Sequence, residues 1–539
     1  MTTDARPDYD EFYAAFDPAM LEQGFEGSFT SGINACVECC DRWVAPGCVA
    51  LQWEAADGTS GEVTFAELKD QSARIANLLV AHGVQPGDKV AALLPKIPEL
   101  VAAILGVFRA GAVYQPLFTA FGPKAIEQRL GGSKAKVVFT DAANRSKLDG
   151  VDGVTIVTIA APAPGDLEFH AALAEQPADF APVMRTGDDQ LLMMFTSGTT
   201  GAPKGVDIPY SALPSFVAYM TYGIDLREDD EFWNIADPGW AYGLYYMIVA
   251  PLAMGRKTTL VDGPFSVDRI IDIVQRRKIT NFAGAPTAYR MMIAEGDRAP
   301  GAIRGQLRVA SSAGEPLNPE VVRWFADNLD CPLNDHYGQT EVAMVLMNHH
   351  ALAHDVRPGS AGFPMPGYAL AVCDDQGNEL PQGEQGVLAV SRSKSSLFYF
   401  KGYAGREGQD WVGDYYLTGD SVEQNEDGSF SFVGRNDDLI SSAGYRIGPF
   451  DVESCLIEHE AVMESGVVGK PDAERGHIVK AFVVLNEGFE ASDEMSETLR
   501  LHVRNRLGAH AYPREITFVE ALPKTPSGKI QRFVLRQEA

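Results

Sequence analysis

The chain carries Thr196-Ser197-Gly198-Thr199-Thr200-Gly201-Ala202-Pro203-Lys204-Gly205 directly after the apolar run Leu191 to Phe195. Hydroxyl groups, glycines and one lysine suit a loop that wraps a polyphosphate, because small residues let backbone N–H groups approach the anion and the lysine supplies charge. A Walker A motif would need glycine where Pro203 stands and serine or threonine where Gly205 stands. The segment therefore predicts a phosphate-binding loop of another kind, placed after a buried strand.

Apolar runs on both sides of this loop predict an α/β fold. Between about residues 60 and 345, short apolar runs alternate with helix-like segments, the pattern of parallel sheets covered by helices. One such helix is predicted at Pro98 to Arg109 and ends near Gly111. The predicted buried strands are Lys89 to Leu94, Lys136 to Thr140, Val154 to Ile159, Leu191 to Phe195, Lys257 to Val261, Ile279 to Ala283 and Leu307 to Ser311.

The pattern changes after about residue 357, which predicts further units. Short alternating strands with turn residues between them predict a small antiparallel β-barrel unit at about 357–434. The last part, 439–539, has its own apolar runs at Val479 to Leu485 and Glu515 to Val519, and helical patterns at Asp451 to His459 and Glu494 to Arg506. We expect a large N-terminal domain over 1–434, with two mostly parallel sheets, and a smaller mobile α+β domain joined to it through 435–438.

Composition and charge narrow the class of protein. The chain has 539 residues and a formal net charge of −28, which argues against a protein that coats nucleic acid or an anionic membrane. The longest apolar stretches fall far short of the roughly 20 residues that span a bilayer, and the acidic N-terminus does not resemble a secretory signal. These features predict a cytoplasmic protein. The cysteines near Cys36 fall on the apolar stripe of a helix and are expected to be reduced core residues.

The loop closely resembles the signature of the adenylate-forming superfamily, which includes acyl-CoA synthetases, luciferases and peptide-synthetase adenylation domains. Seven more motifs of that superfamily follow in the family order: Ala236-Asp237-Pro238-Gly239-Trp240, Gly314-Glu315-Pro316, Asp335-His336-Tyr337-Gly338-Gln339-Thr340-Glu341, Tyr416-Leu417-Thr418-Gly419-Asp420, Gly434-Arg435-Asn436-Asp437-Asp438, Ala443-Gly444-Tyr445-Arg446-Ile447-Gly448-Pro449 and Pro523-Lys524-Thr525-Pro526-Ser527-Gly528-Lys529. The wording is most similar to the short- and medium-chain acyl-CoA synthetase branch of acetyl-CoA synthetase-like enzymes.

The resemblance implies an AMP-forming acid–thiol ligase that uses ATP, Mg²⁺ and CoA. A carboxylate attacks the α-phosphorus of ATP to give acyl-AMP and pyrophosphate, and a thiol then takes the acyl group and releases AMP. The first step needs cations and alignment rather than a general base, because the acid is already ionised at pH 7. Since the chain ends ten residues after Lys529, free CoA is the expected acceptor, although a separate carrier protein stays open.

The resemblance also implies roles for the nucleotide-site residues. Lys529 would reach between the α-phosphate and the attacking carboxylate, and Lys204 would act with it as a catalytic cation. Glu341, with Thr196 or Thr340, would hold Mg²⁺. Asp420 would accept both ribose hydroxyls with support from Arg435, and Tyr337 would stack on adenine. The implied ATP and AMP contacts are Thr196, Ser197, Gly198, Thr199, Thr200, Gly201, Lys204, Gly314, Glu315, Pro316, Asp335, His336, Tyr337, Gly338, Gln339, Thr340, Asp420, Arg435 and Lys529.

By the same resemblance, the C-terminal domain turns about Asp437 between the two half-reactions. The implied CoA-binding residues are Ala443, Gly444, Tyr445, Arg446, Arg475, Arg504, Tyr512, Pro513 and Arg514. For Arg504, a solvated helix face beside other arginines is an open alternative.

The acyl pocket is expected to be lined by Trp240, Ala241, Tyr242 and Gly338. Acetate-type relatives carry tryptophan where Gly338 stands, so the glycine is expected to open a deeper cavity. We expect an acid from propionate to octanoate, branched or aromatic acids included, with acetate as an alternative. A stand-alone adenylating enzyme that loads a carrier protein also stays open, whereas a non-enzymatic binding protein would be expected to have lost Lys529 or Glu341.

Overall fold

The computed structural model describes residues 6–196, 203–406, 408, 410–436, 438–442, 445–472, 475–508, 511–524 and 529–539. The strands are β1 (Val49–Glu54), β2 (Ser60–Thr64), β3 (Lys89–Leu93), β4 (Val113–Pro116), β5 (Val137–Asp141), β6 (Thr155–Ile159), β7 (Leu167–Glu168), β8 (Gln190–Thr196), β9 (Lys204–Pro209), β10 (Phe232–Asn234), β11 (Thr258–Val261), β12 (Asn281–Gly284), β13 (Val309–Ala313), β14 (Leu333–Gln339), β15 (Ala343–Met347), β16 (Phe363–Pro364), β17 (Leu370–Cys373), β18 (Gln385–Ser391), β19 (Tyr415–Gln424), β20 (Phe430–Arg435), β21 (Ile440–Ser442), β22 (Tyr445–Ile447), β23 (Val462–Asp472), β24 (Gly476–Leu485) and β25 (Glu515–Phe518).

The α-helices are α1 (Tyr9–Ala15), α2 (Ala19–Glu22), α3 (Ala35–Cys39), α4 (Phe65–Ala81), α5 (Pro98–Arg109), α6 (Pro123–Ser133), α7 (Phe169–Ala174), α8 (Leu213–Ala218), α9 (Ala241–Gly243), α10 (Ala250–Ala253), α11 (Val267–Arg277), α12 (Pro286–Ala294), α13 (Arg298–Ile303), α14 (Pro319–Trp324), α15 (Pro449–Ile457), α16 (Asp493–Leu507) and α17 (Arg532–Gln537). π-helical turns at Tyr219–Gly223, Leu244–Val249 and Phe325–Leu329 extend three of these helices.

Two large sheets carry the N-terminal domain, as the sequence predicts. The first has seven strands in the order β7-β6-β5-β3-β4-β8-β9, parallel except for the β8–β9 pair. The second has six strands in the order β10-β12-β13-β14-β15-β16, of which the first four run parallel. The central strands β3 and β5 of the first sheet are mostly apolar because helices cover both faces of such sheets, whereas β14 of the second sheet carries several polar side chains.

The β-rich unit differs in one respect from its prediction. Strands β17 to β20 form a four-stranded antiparallel sheet in simple sequential order, and within the described residues this sheet is open rather than closed into a barrel. Its last two strands matter for the site, because β19 and β20 pair Asp420 with Arg435. The unit therefore supplies two charged side chains from adjacent strands.

The C-terminal domain has a sheet of its own, in the order β22-β21-β24-β23 with β25 paired to β24. Helices α15 and α16 pack against it, and the core contains Val452, Leu456, Val467, Leu499 and Val503. The C-terminal domain therefore has a hydrophobic core of its own.

The cysteine prediction is confirmed. Cys36 and Cys39 lie on α3, Cys40 ends that helix, and all three are buried. All seven cysteines of the chain are free thiols. Within the part of the chain that the structure covers, none of the helices combines the length and the apolar composition needed to cross a bilayer.

The contact between α4 and α5 depends on one glycine. Gly106 lies in the middle of α5, and a Cβ atom added there would come within 2.3 Å of Ile75 Cγ2 on α4. The absent side chain lets the two helices approach closely enough to bury their apolar faces against each other.

We predict opposite effects for two glycine-to-alanine substitutions in helices. Gly106→Ala should destabilise the protein by about 1–3 kcal/mol, because the methyl group overpacks the α4–α5 contact. Gly131→Ala in α6 is the matched control: no atom lies within 4 Å of its added Cβ, so the higher helix propensity of alanine should stabilise by about 0.5–1 kcal/mol. Urea unfolding followed by circular dichroism measures both, and equal effects would contradict the packing argument.

Candidate active site

A buried carboxylate, Asp420, lies at the centre of the candidate site. Tyr337 Oη donates to its Oδ2 atom at 2.6 Å, and Gln339 Nε2 donates to the same atom at 2.7 Å. Arg435 Nη1 lies 3.6 Å from Oδ1. Tyr337 and Gln339 reach it together because they stand two positions apart on β14 and so point to one side of the strand.

Burial raises the pKa of Asp420, and several neighbours oppose that effect. The Arg435 charge and the hydrogen bonds from Tyr337 and Gln339 lower the pKa, as does the charge of Lys529 from the C-terminal domain. The influence of Lys529 means that this lysine lies within electrostatic range of Asp420. The carboxylate is thus oriented from several directions before any ligand binds.

A second cluster joins three separate parts of the sequence. Tyr403 Oη donates to Glu341 Oε1 at 2.9 Å, and Lys204 Nζ lies 4.6 Å from the centre of the Tyr403 ring. Burial raises the pKa of Glu341, whereas the Tyr403 hydrogen bond and the Lys204 charge lower it. Thr196 is beside this cluster, because it pairs with Lys204 across β8 and β9. Among the described residues, no salt bridge engages this carboxylate.

Part of the predicted phosphate loop lies outside the described residues, namely Ser197, Gly198, Thr199, Thr200 and Gly201. The two residues that flank it are described: Thr196 ends β8 and Lys204 begins β9. The loop therefore connects the only antiparallel pair of the seven-stranded sheet, at the edge where β8 ends.

The segment Gly314 to Pro316, which is expected to contact the nucleotide, follows β13 directly. Gly314 has a φ of +95°, a conformation that favours glycine, and its side-chain direction faces open space. Glu315 Oε2 accepts from Thr287 Oγ1 at 3.3 Å and from Arg290 Nη2 at 3.4 Å. These contacts hold the segment against α12.

Asp335 stands on the Tyr337 side of β14, next to the segment that ends at Pro316. Its Oδ2 accepts from the backbone N–H of Leu317 at 3.2 Å, and its Oδ1 accepts from the backbone N–H of His336 at 3.1 Å. Desolvation raises the pKa of Asp335 to about 8, although both hydrogen bonds lower it. The carboxyl group thus ties β14 to the segment after Pro316.

The side chain of His336, one of the expected nucleotide contacts, is engaged inside the domain on the opposite face of β14. Successive side chains of a strand point to opposite faces, so His336 faces away from Asp335 and Tyr337. It is 1% exposed, Tyr219 Oη donates to its Nδ1 at 2.7 Å, and its Nε2 donates to the carbonyl of Asn348 at 3.2 Å. Both ring nitrogens are thus engaged inside the domain.

Tyr219 connects His336 to the predicted acyl pocket. Its hydroxyl lies 3.1 Å from that of Tyr242, and both rings pack against Tyr246. Trp240 lies nearby in a separate cluster with Phe118 and Phe121, at ring distances of 5.6 and 5.5 Å. Aromatic groups thus line the segment around Ala241, which begins α9.

Gly338 does not open a cavity in the direction that its side chain would take. A Cβ atom there would lie 2.2 Å from the carbonyl oxygen of Ala343 and 2.6 Å from Met344 Sδ. The cause is an irregularity in the β14–β15 pairing between Tyr337 and Gly338, which brings the neighbouring strand close. The glycine is required by this close approach, and Met344 fills the adjacent space.

The C-terminal domain contacts the large domain through α15. Asn318 Nδ2 donates to Ser454 Oγ at 2.8 Å, which joins the large domain to α15. Within the small domain, Arg532 pairs with Glu453 at 2.7 Å and with Asp438 at 3.7 Å, and Arg536 also pairs with Asp438. Asp438 follows Asp437, the predicted hinge, which is itself outside the described residues.

The predicted CoA residues are only partly described. Ala443 and Gly444 lie outside the described part, and for Tyr445 and Arg446 the structure gives the backbone of β22. Arg475 and Arg504 are exposed. Arg500 and Arg514 both lie against the ring of Tyr512, at 5.6 and 5.1 Å, and Arg500 Nε donates to the Pro513 carbonyl.

Sequence reasoning missed several residues that shape the site. Tyr403, Tyr219 and Arg290 carry no motif of their own and act through residues far away in sequence. Tyr416 is inside a recognised motif, and its hydroxyl donates to Gln339 Oε1 at 3.2 Å. The sequence indicated a role for Tyr416 only through its position on the same strand, four residues before Asp420.

Comparison with known proteins supports one family. Residues 42–404 match the model of the AMP-binding enzyme family, and residues 451–529 match that of the AMP-binding enzyme C-terminal domain. The acetyl-coenzyme A synthetase of Bacillus subtilis is 38% identical over 98% of this chain and 94% of its own length.

Solved structures agree. The crystal structure of an acyl-CoA synthetase from Brucella canis is 54% identical, covers 99% of both chains and has a TM-score of 0.81. An anthranilate CoA ligase in complex with anthranoyl-AMP is 28% identical, with a TM-score of 0.86 over 94% of this chain and 97% of that one. The chain therefore belongs to the AMP-binding enzyme family, as an ATP-dependent acid–CoA ligase that works through an acyl-AMP intermediate.

Proposed function

We propose that the enzyme activates a short- to medium-chain carboxylic acid, branched and aromatic acids included, at the site between Asp420 and Glu341. The observation that carries this assignment of the site is the convergence of Tyr337, Gln339 and Arg435 on the buried Asp420 carboxylate, within range of the Lys529 charge. A carboxylate held in this way can accept two hydroxyls of a ribose.

In the proposed first half-reaction, this chain supplies cations and alignment. Lys204 and Lys529 reach the phosphates from opposite domains, and Tyr337 offers its ring face to the adenine while its hydroxyl stays bonded to Asp420. The acid substrate, with a pKa of about 4 to 5, enters as the carboxylate, so no residue has to remove a proton. Two anions meet only where positive charge offsets their repulsion.

The residues present also fit Mg²⁺. Glu341 is 6% exposed, is desolvated, and has no salt bridge among the described residues, so a divalent ion shared with phosphate oxygens would satisfy it. Glu341 and Thr196 would hold the ion, which would neutralise charge on the phosphates. Tyr403 would keep Glu341 oriented toward it.

For the second half-reaction, we propose that the C-terminal domain turns about Asp437 and brings the exposed Arg475 and Arg504 to the phosphates of CoA. Tyr512, Pro513 and Arg514 would add a further contact surface. Lys529 would leave the site at the same time, because it lies on the moving domain.

The seven free thiols support a cytoplasmic location, where cysteines stay reduced.

The class of acid rests on the pocket walls. Aromatic side chains around Ala241 and Tyr242 favour an apolar or aromatic acyl group of limited length. Acetate is the second candidate, because the Bacillus subtilis relative is named an acetyl-coenzyme A synthetase. The tight packing of Met344 against Gly338 also favours a shorter acid on that side.

Lys529→Ala should separate the two half-reactions. Acid-dependent pyrophosphate exchange is expected to fall roughly 100- to 1,000-fold, because one preorganised cation is lost. Thioester formation from supplied acyl-AMP and CoA should stay within about two-fold. Lys524→Ala, which removes a lysine paired with Glu464 in the same domain, is the control and should leave both rates unchanged. Equal loss of both half-reactions in Lys529→Ala would contradict the assignment.

Tyr403→Phe should lower the rate of adenylation through Glu341. The variant keeps the ring over Lys204 but loses the hydrogen bond to the carboxylate, an interaction of about 1.5–3 kcal/mol, so we expect a loss of roughly 10- to 100-fold in kcat and a higher requirement for Mg²⁺. Tyr415→Phe is the matched control, because its hydroxyl donates to Glu379 at the surface. Pyrophosphate exchange at several Mg²⁺ concentrations measures both, and wild-type behaviour of Tyr403→Phe would remove Tyr403 from the site.

A panel of acids tests the substrate class. With ATP, Mg²⁺ and CoA, kcat/KM read by AMP release should be higher for butyrate, hexanoate or benzoate than for acetate. If acetate is best, the second candidate is correct and the proposed acid class is wrong. Acid-dependent pyrophosphate exchange without formation of a CoA thioester would instead indicate a carrier protein as acceptor.

A further inference from the structure

Three metal-binding side chains meet where α15 and α16 pack together in the C-terminal domain. Cys455 lies on α15, Glu458 follows the end of that helix, and His502 lies on α16. One ligand atom from each lies within 4.8 Å of the other two. None of the three belongs to the site described above or to a motif of the sequence.

The other contacts of these side chains leave ligand atoms available. Arg506 binds Glu458 through Oε2 alone, at 2.9 and 2.5 Å, and Oε1 accepts nothing among the described residues. His502 Nε2 donates to the Cys455 carbonyl at 3.0 Å, so the neutral ring keeps a lone pair on Nδ1. The Cys455 thiol forms no hydrogen bond with the described residues.

The hydrogen bond of His502 has the form found around bound metals. A histidine ligand usually donates its second ring N–H to a carbonyl or carboxylate, which fixes the ring and its tautomer. Here the acceptor is the backbone of another member of the cluster, so the ring is held against α15. This contact is independent of the closeness of the three ligand atoms.

The set of one sulfur, one nitrogen and one carboxylate oxygen selects the metal. Zn²⁺ binds these three types of ligand in tetrahedral sites, whereas Mg²⁺ and Ca²⁺ take oxygen ligands and rarely bind a thiol. Glu458 and His502 are half-buried, so water can reach the fourth position. The ligand atoms lie within 4.8 Å of one another, and tetrahedral binding to one ion would draw them together to about 3.3–3.8 Å.

We propose that Cys455, Glu458 and His502 bind one Zn²⁺ ion, with a water molecule as the fourth ligand. The Cys455 thiol gives up its proton to solvent and binds as the thiolate, while the carboxylate and the neutral imidazole bind without a change of protonation. The ion links α15 to α16. It thereby ties the helix that carries Ser454, at the contact with the large domain, to the helix that carries Arg504.

Cobalt(II) tests the proposal, because a thiolate bound to Co²⁺ gives a sulfur-to-metal charge-transfer band and other Co²⁺ sites do not. Metal-free full-length protein titrated with CoCl₂ should develop this band up to about one equivalent, and ZnCl₂ should abolish it by displacement. In matched titrations followed by calorimetry, Cys455→Ser, Glu458→Gln and His502→Gln should each weaken Zn²⁺ binding at least ten-fold. Cys455→Ser should also remove the band.

Cys48→Ser is the control, because Cys48 is the one partly exposed thiol of the chain and lies outside the cluster. It should keep the band and the affinity of the wild-type protein. Circular dichroism in EDTA checks that each variant is folded, and the partly exposed Glu458 provides a variant that does not disturb the core. Absence of the band in the wild-type protein, or a band that is lost in Cys48→Ser and kept in Cys455→Ser, would overturn the proposal.

Discussion

A buried carboxylate must be surrounded by donors, and this constraint organises the site. Asp420 is 5% exposed, and its donors come from β14, from β20 and, at longer range, from the C-terminal domain. Without them, desolvation would favour the neutral acid, which could not serve as a double acceptor. The arrangement therefore requires that the two sheets that carry β14 and β20 be positioned relative to each other to within a hydrogen bond's length.

Charge must also be placed locally on the scale of the whole chain. The chain has an overall charge of −28, yet a ligase of this kind handles ATP, pyrophosphate and CoA, all of which are anions. Many C-terminal cations are engaged in ion pairs within their own domain, such as Arg506 with Glu458 and Lys524 with Glu464. Arg475 and Arg504, by contrast, have exposed side chains. Local positive surface on an acidic body can attract anions while the protein as a whole stays soluble and resists non-specific association.

Much of the fold and of the candidate site could be predicted from the sequence, and the reason differs from residue to residue. Strands and motifs could be predicted because apolar runs and glycine-rich loops are local features, and α5 was predicted with its observed bounds. The orientation of His336 also lay within reach, since alternation along β14 separates it from Asp335 and Tyr337. The packing of Met344 against Gly338 was not, because it depends on an irregular pairing of two strands. Tyr403 was missed because its partner Glu341 lies 62 residues earlier, a separation that no local pattern reveals.

The ion pairs of Asp438 bear on how two domains share one short connection. Arg532 and Arg536 hold Asp438 to α17, so this residue is part of the small domain although it lies next to the large one in sequence. A turn about residue 437 would then be confined to a few backbone dihedral angles, because the residues on its C-terminal side move with the small domain. Such a connection limits the paths that the small domain can follow. Lys529, three residues before Arg532, would return to the same place in every cycle without a search through solution.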